Sequence, residues 1–295
     1  MKDQVINPEN IPTKEEIEEY ISTIENTYFH KNIIYNALNI VESLSEVEAA
    51  FLMGSISEGT GDIFSDIDFF LMLEDGKDYS KVQESFLSEI DKLGEVIHIF
   101  QSNAKKNSTI IYLKPFIKFE LVVESFSKLS AEWRIGKRGS LLYDKNGLGK
   151  EAIEESKKLE FEFEDHLDEI RNVALELPSF CFLIAGYMTR EEYITTIDFV
   201  AWIRRKLLRI SGFLLGIRDE GTRRAEQRFP KELVEFYNKC RVRKNDDVWD
   251  CLNMFLEWYS EWLVPHFENK NIIHAGEEVP VIKAAIKKLR NGHFH

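Results

Sequence analysis

The chain has 295 residues, of which 44% are apolar and 30% are charged, a composition typical of a globular protein with a hydrophobic core. Its formal net charge of −13 disfavours a protein that grips nucleic acid and suits a small cationic substrate. No apolar run approaches the ~20 residues that span a bilayer, and the polar N-terminus is unlike a signal peptide, so we expect a cytoplasmic protein.

The first half of the sequence predicts two helices followed by a mixed region of strands and helices. Apolar residues recur at helical spacing over residues 14–29 and 31–44, and a further amphipathic helix is expected over 80–93. The run IDFFLML at 67–73 is almost continuously apolar, which predicts a strand buried on both faces. Apolar runs between turn residues predict strands at 46–53, 67–73, 96–101, 109–113, 117–123 and 140–143.

After residue 147 the pattern changes to long segments at helical period, with glycine and proline mainly between them. We therefore predict an α+β fold, with a mixed β-sheet domain over residues 1–147 and an all-α helical bundle domain over 148–295. The predicted helices of the second domain cover 150–176, 178–188, 190–216, 231–240, 244–268 and 279–291.

Three cysteines, Cys181, Cys240 and Cys251, form no CxxC pair and leave one residue over from any disulfide. Their spacing matches no zinc site. We predict free thiols in a reducing compartment.

The stretch FLMGSISEGTGDIFSDIDFFLM, residues 51–72, concentrates the residues that carry chemistry. Gly54 and Ser55 directly follow a predicted strand, where backbone N–H groups can hold a phosphate and a hydroxyl adds a donor. Asp66 and Asp68 are separated by one residue at the entry of the next strand, so their carboxylates point to the same face. Two such charges are tolerated when a cation lies between them, and Mg²⁺ prefers these oxygen ligands.

A third carboxylate is expected from the apolar strand IKFELVV. Glu120 lies inside this strand, where a charge is costly unless it is paired or bound to metal. Glu124 lies on the same strand face and competes for the role, but we prefer Glu120 because Phe119 and Leu121 flank it. Three carboxylates beside a Gly-Ser turn predict a two-metal nucleotidyl or phosphoryl transfer site. Glu120 is then either a metal ligand or the general base.

Two further sets of residues are predicted to hold the nucleotide. Ser65 lies in the same loop as the aspartates. Arg205 and Arg209 share one face of a helix, where one or both can hold phosphate groups. The alternative for the arginines is a solvated helix face.

The order Gly-Ser, Asp-x-Asp and a later carboxylate, in GSISEGTGDIFSDID, resembles the signature of the nucleotidyltransferase superfamily related to DNA polymerase beta. The stretch looks most like the bacterial nucleotidyltransferases that modify lincosamides and aminoglycosides. The resemblance implies a minimal mixed-sheet catalytic domain at 1–147, followed by a helical substrate-binding domain at 148–295.

The resemblance also implies roles for individual residues. Gly54 and Ser55 would hold the triphosphate, Asp66 and Asp68 would bind Mg²⁺, and Glu120 would be the third carboxylate, with two metal ions expected. The implied reaction transfers AMP from ATP to a hydroxyl of an aminoglycoside or a lincosamide, by a monomer or a homodimer without nucleic acid. Two alternatives stay open, a nucleotidyltransferase that acts on a protein or RNA, and a non-catalytic binding partner of the toxin–antitoxin type.

Overall fold

The structure, a computed structural model, describes residues 5–22, 24–103 and 106–292. It divides into two compact units, Met1–Glu160 and Phe161–His295. A mixed sheet with flanking helices forms the first unit and helices form the second, so the predicted α+β fold class is confirmed. The first four residues of the polar N-terminus lie outside the described residues.

The described part of the first unit contains a seven-stranded sheet. Its strands are β1 (Val5–Ile6), β2 (Val47–Met53), β3 (Ile67–Leu73), β4 (Val96–Gln101), β5 (Ser108–Leu113), β6 (Ile117–Ser125) and β7 (Ser140–Asp144). The spatial order is β1-β4-β5-β6-β3-β2-β7; β3 and β6 run parallel, and the other five pairs run antiparallel. The bounds of β3 and β4 are as predicted, the sequence does not predict β1, and the other strands differ by one or two residues.

Helices cover both faces of this sheet. They are α1 (Lys14–Ile21), α2 (Tyr28–Val41), α3 (Gly54–Ser57), α4 (Tyr79–Ser88), α5 (Phe126–Ser130), α6 (Trp133–Arg138) and α7 (Leu148–Lys157). Phe69 of β3 joins the core cluster that includes residues of α1, α2 and α4, while Met72 joins the cluster that includes residues of α5, α6 and α7. The prediction that 67–73 is buried on both faces is therefore consistent with the packing of β3.

The predicted helix over 14–29 is shorter in the structure. Thr13 starts α1 with a capping box, because its hydroxyl accepts from the Glu16 N–H at 3.2 Å and the Glu16 carboxylate accepts from the Thr13 N–H at 2.7 Å. The helix ends at Ile21, and α2 begins only at Tyr28, whose N–H is bonded to the Asn26 side chain at 3.0 Å. Asparagine competes with helical backbone bonds in this way and separates the two helices.

The structure places the division between the units after Glu160 rather than after residue 147. Helix α7 belongs to the first unit because its apolar side packs on the sheet, with Ala152 fully buried. Ser156 bonds it further, donating to the Glu132 carbonyl at 2.7 Å and accepting from the Gly136 N–H at 2.8 Å. Helical period alone does not indicate which unit a helix packs against.

The second unit is helical in its described residues. Its helices are α8 (Leu167–Thr189), α9 (Tyr193–Leu214), α10 (Ala225–Arg228), α11 (Lys231–Lys239), α12 (Asp247–Trp258), α13 (Val264–Asn269) and α14 (Val279–Arg290), with a π-helical turn at Tyr259–Leu263. The prediction of separate helices at 150–176 and 178–188 is wrong, because α8 continues through Pro178.

Pro178 is tolerated inside α8 because the carbonyl that it leaves unpaired has other donors. Proline has no N–H, so the carbonyl of Ala174, four residues earlier, loses its helical hydrogen bond. The Ala275 N–H donates to this carbonyl at 3.0 Å, and the hydroxyl of Tyr259 donates to it as well. The helix therefore continues at a position where local rules predict its end.

One stretch, Phe163–Thr189, is long and apolar enough to cross a membrane by length and composition alone, which the sequence reading did not anticipate. Nine residues of α8 within it are buried, and eight of these belong to the hydrophobic core of the second unit. The core helix of a globular protein meets the same criterion, so the stretch is weak evidence for a membrane span. The three cysteines are free thiols in this unit, as predicted, and all three are buried.

Candidate functional site

The loop between β2 and β3 begins with the short helix α3, directly after the last residue of β2. Gly54 opens this helix with φ of +74°, a backbone conformation that favours glycine. A Cβ atom at this position would lie 2.6 Å from Oδ2 of Asp68. The missing side chain therefore leaves the space that the Asp68 carboxylate occupies.

Two predicted nucleotide-binding serines are bonded to each other inside this loop. The Ser55 hydroxyl donates to the Ser65 hydroxyl at 2.8 Å. The Ser65 oxygen also accepts from the Asp62 N–H at 3.0 Å. These bonds hold the two ends of the loop together, so Ser55 and Ser65 face one region, as a shared role would require.

Helices α1 and α2 hold the same loop from outside the sheet. The Tyr20 hydroxyl donates to the Ile63 carbonyl, and Nε2 of His30 is bonded to the Ser65 carbonyl at 3.0 Å. His30 is fully buried, and its Nδ1 has no hydrogen-bond partner among the described residues. Burial lowers the pKa of His30, although the Ser65 carbonyl and the Asp62 charge act in the opposite direction. Sequence reasoning missed His30, which carries no motif and occupies an ordinary helical position.

The strand register brings two of the predicted carboxylates side by side. Asp68 and Glu120 are direct partners in the parallel β3–β6 ladder, where neighbouring strands lie about 4.8 Å apart. Asp66 precedes β3 by one residue, and its side chain is 34% exposed. Residues 52 positions apart in the sequence thus meet at one point of the sheet.

Register, and not burial, distinguishes Glu120 from Glu124. The burial argument for Glu120 is wrong, because the side chain of Glu124 is 19% exposed and that of Glu120 is 23% exposed. Glu124 pairs with Met72, four residues further along the ladder, which places it roughly 13 Å from the Asp68 position. Glu124 also accepts a hydrogen bond from Asn107 at 2.7 Å and lies 3.1 Å from the Lys128 ammonium.

Lys118 is a member of the site that sequence reasoning missed. Its Nζ atom lies 2.7 Å from Oδ2 of Asp66 and 3.4 Å from Oε2 of Glu120. Burial lowers the pKa of Lys118, but the hydrogen bond to Asp66 and the charges of Asp66, Glu120 and Asp68 outweigh it, and the net pKa is raised. The available signal was the spacing Lys-x-Glu in IKFELVV, which places both side chains on one face of the strand.

The donor set suits a hard divalent cation in kind, because it consists of carboxylate oxygens beside a glycine that leaves room. Among residues 5–22, 24–103 and 106–292, however, no three acidic, histidine or cysteine side chains are gathered in a way that could hold a metal ion as they stand. The Lys118 ammonium lies against Asp66 and Glu120, and Ser108 donates to Oε1 of Glu120 at 2.8 Å.

Arg205 lies in the second unit and lines a cavity of about 340 Å³. Lys206, Arg209 and Arg218 line the same cavity, so Arg205 and Arg209 do share one side of α9. Arg209 is engaged by carboxylates, with Nη1 at 2.8 Å from Asp219 Oδ2. The predicted contact of Arg205 with nucleotide stays a prediction.

Comparison with known families identifies the sheet region. Residues 35–147 match the model of the family described as Polymerase beta, Nucleotidyltransferase. The matched region contains Gly54, Ser55, Asp66, Asp68 and Glu120 and ends at the domain boundary predicted from sequence. No curated protein matches the chain significantly.

Three solved structures are similar to this chain. An aminoglycoside 6-adenyltransferase from Bacillus subtilis is 13% identical, with a TM-score of 0.37, over 90% of this chain and 97% of that chain. A nucleotidyltransferase-like protein from Exiguobacterium sibiricum is 12% identical, with a TM-score of 0.39, over 92% and 89%. A spectinomycin adenyltransferase from Enterococcus faecialis is 11% identical, with a TM-score of 0.29, over 86% and 99%.

At these identities and TM-scores, the likenesses do not define the fold or the substrate of the chain. The family match over residues 35–147 and the strand order of the sheet were established without these three structures. Residues 35–147 of this chain are therefore similar to the family described as Polymerase beta, Nucleotidyltransferase.

Proposed function

We propose that the protein transfers a nucleoside monophosphate, AMP from ATP in the first instance, to a hydroxyl of a small-molecule antibiotic. The observation that carries the proposal is the register pairing of Asp68 with Glu120 beside Gly54, inside a nucleotidyltransferase domain. The acceptor we favour is an aminoglycoside or a lincosamide, and the second unit is proposed to bind it. We place the protein in the cytoplasm.

The proposed reaction assigns a task to each residue of the site. The acceptor oxygen forms a bond to the α-phosphorus, the bond from the α-phosphorus to the bridging oxygen breaks, and pyrophosphate leaves. Gly54 and Ser55 would hold the triphosphate, as N–H and hydroxyl donors do at such turns. Ser108 donates to Oε1 of Glu120 and the Lys118 ammonium lies 3.4 Å from Oε2, so Oε2 would exchange that contact when it binds a metal ion or takes the proton of the attacking hydroxyl.

Asp66, Asp68 and Glu120 are the residues that would hold Mg²⁺, with two ions expected. When bound, the metal would neutralise charge on the triphosphate and on the departing pyrophosphate. Lys118 supplies positive charge at the same carboxylates from the chain itself.

A second candidate is a nucleotidyltransferase with an anionic macromolecular acceptor such as RNA. Residues 204–244 contain 13 lysines and arginines against 5 aspartates and glutamates, a formal charge of +8 in a chain whose total is −13. Such a segment favours phosphate-bearing partners, in contrast to the expectation from the overall charge.

The proposal is tested by pyrophosphate release from ATP by the full chain in the presence of Mg²⁺ and a panel of aminoglycosides, lincosamides and RNA. We expect turnover with at least one drug and a loss of at least about 100-fold in Asp66→Asn and Asp68→Asn, because each variant loses an anionic oxygen that would hold the metal ion at the reacting phosphate. Release that depends on RNA and on no drug would select the second candidate.

Glu124→Gln is the matched control for Glu120→Gln, because the two glutamates share a strand face and nearly equal exposure. We expect Glu120→Gln to lose activity and Glu124→Gln to keep it. Equal activity in Glu120→Gln and the wild type would contradict the assignment of Glu120.

A further inference from the structure

We propose that Lys118 is an internal counter-ion that competes with a divalent cation for Asp66 and Glu120, and that it thereby weakens metal binding. The inference rests on the proposed function, which assigns a metal ion to the same carboxylates. Its observations are the contacts of Nζ with Asp66 Oδ2 at 2.7 Å and with Glu120 Oε2 at 3.4 Å.

The ammonium group bridges two carboxylates that come from different strands. Asp66 lies at the start of β3, and Glu120 lies on β6. Asp66 and Glu120 are also two of the residues that would hold a divalent cation, and the Lys118 ammonium already contacts one oxygen of each. An oxygen in contact with the ammonium cannot at the same time give its full negative charge to a metal ion, so the two cations oppose each other.

The formal charges of the site also support competition between Lys118 and a divalent cation. Three carboxylates and one ammonium leave a formal charge of −2, which a single divalent cation would neutralise. Without Lys118 the formal charge is −3, and the repulsion between the carboxylates is less compensated. Removal of the ammonium is therefore expected to have two effects, tighter metal binding and lower stability of the metal-free protein.

Lys114 is a matched control within the same unit. Its side chain is 24% exposed, against 25% for Lys118, and it also contacts two carboxylates, Glu16 at 2.8 Å and Glu95 at 3.5 Å. Neither carboxylate belongs to the candidate site. A Lys114→Met variant thus removes an equivalent ion pair without changing the charge at Asp66.

The experiment measures Mn²⁺ binding to the full chain, without nucleotide, from the electron paramagnetic resonance signal of free Mn²⁺. We expect Lys118→Met to lower the Kd for Mn²⁺ about fivefold or more, which is the low end of the effect that one bound group typically has on the affinity for another. Lys118→Arg, which keeps the charge, and Lys114→Met are expected to bind Mn²⁺ as the wild type does. Lys118→Gln replaces Lys118→Met if the latter does not fold.

A thermal melt provides a readout that is independent of binding and of activity. Without metal, Lys118→Met is expected to have a lower Tm than the wild type, and Mn²⁺ should raise its Tm by more than it raises that of the wild type, because tighter binding gives larger stabilisation. A Tm that rises equally in both proteins contradicts the competition.

Two further outcomes separate this inference from the proposed function. If Lys118→Met binds Mn²⁺ no more tightly than the wild type while Asp66→Asn abolishes binding, the competition is overturned and the metal site stands. If neither the wild type nor Lys118→Met binds Mn²⁺ in a way that Asp66→Asn abolishes, the metal-dependent function is contradicted together with the role of Lys118.

Discussion

Gly54 meets two separate requirements at the start of α3. Its φ of +74° is costly for any residue with a Cβ atom, and its open side faces the Asp68 carboxylate. Gly59, in the same loop, shares the first requirement only: its φ is +72°, and an added Cβ would meet no atom within 4 Å. Substitutions at Gly54 and Gly59 therefore separate the effect of backbone strain from the effect of a clash with the Asp68 carboxylate.

We expect Gly54→Ala and Gly59→Ala each to lower the free energy of unfolding by about 1 kcal/mol, as substitution of a left-handed glycine does. Only Gly54→Ala should also displace the Asp68 carboxylate, and its transferase activity should fall about 100-fold, as a misplacement of about 1 Å can cause. Urea unfolding and pyrophosphate release measure the two quantities. Equal transferase activity in the two variants would show that the position of the Asp68 carboxylate next to Gly54 does not matter for activity.

His30 provides a pH-dependent contribution to stability. Because burial lowers its pKa in the folded state, the unfolded chain takes up a proton, with an ordinary pKa near 6.5, before the folded chain does. The free energy of unfolding therefore falls as the pH falls below about 6.5, with a slope from this one group of at most about 1.4 kcal/mol per pH unit.

The prediction is checked by urea unfolding of the wild type and His30→Gln between pH 7.5 and 5.5. We expect the wild type to lose more stability than the variant across this interval, because glutamine has no proton to take up. Parallel curves for the two proteins would contradict the assignment.

At the scale of elements, α8 shows how a tertiary contact replaces a local one. Pro178 removes a helical donor, and Tyr259 and the Ala275 N–H provide substitutes at the Ala174 carbonyl. Tyr259 is fully buried, which raises the pKa of its hydroxyl to about 12 and keeps the hydroxyl protonated as a donor. The continuity of α8 is thus linked to the π-helical turn that carries Tyr259.

We expect Tyr259→Phe to lower the free energy of unfolding by about 1–2 kcal/mol, the cost of a lost buried hydrogen bond. Tyr193→Phe is the control in the same unit, since the Tyr193 hydroxyl makes no hydrogen bond within the described part of the chain, and it should change stability by less than about 0.5 kcal/mol. Urea unfolding followed by circular dichroism measures both. Equal stability of the two variants would mean that other donors suffice for the Ala174 carbonyl.

At the scale of the whole molecule, the three thiols distinguish the two units. Cys181, Cys240 and Cys251 all lie in the second unit and are buried. Burial raises the pKa of all three, to about 12 for Cys240 and about 11 for Cys251. Because the thiolate is the reactive form, reaction with a thiol reagent requires the second unit to open.

We expect all three thiols to react slowly with an aromatic disulfide reagent at pH 8 in native buffer, and rapidly after full unfolding in guanidinium chloride. Release of the coloured thiolate measures the rate. A thiol that reacts in native buffer as fast as in the unfolded chain would contradict the packing described for this unit.

The sequence by itself determined the features that local pattern encodes. Apolar runs predict β3 and β4 at their observed bounds, and the continuous run of β3 matches its packing on both faces. The Gly-Ser and Asp-x-Asp motifs predict the loop that the family match contains, because a left-handed glycine and same-face carboxylates are local properties.

Only the tertiary structure decided which distant residues share the site. The β3–β6 register sets Glu120 opposite Asp68 and moves Glu124 away, and it places Lys118 against Asp66. Strand register, like the packing of α7 on the sheet and the donors at Pro178, depends on contacts between residues far apart in the chain. Periodicity places Lys118 and Glu120 on one face of a strand but carries no information about the contact between Lys118 and Asp66, which only the tertiary structure shows.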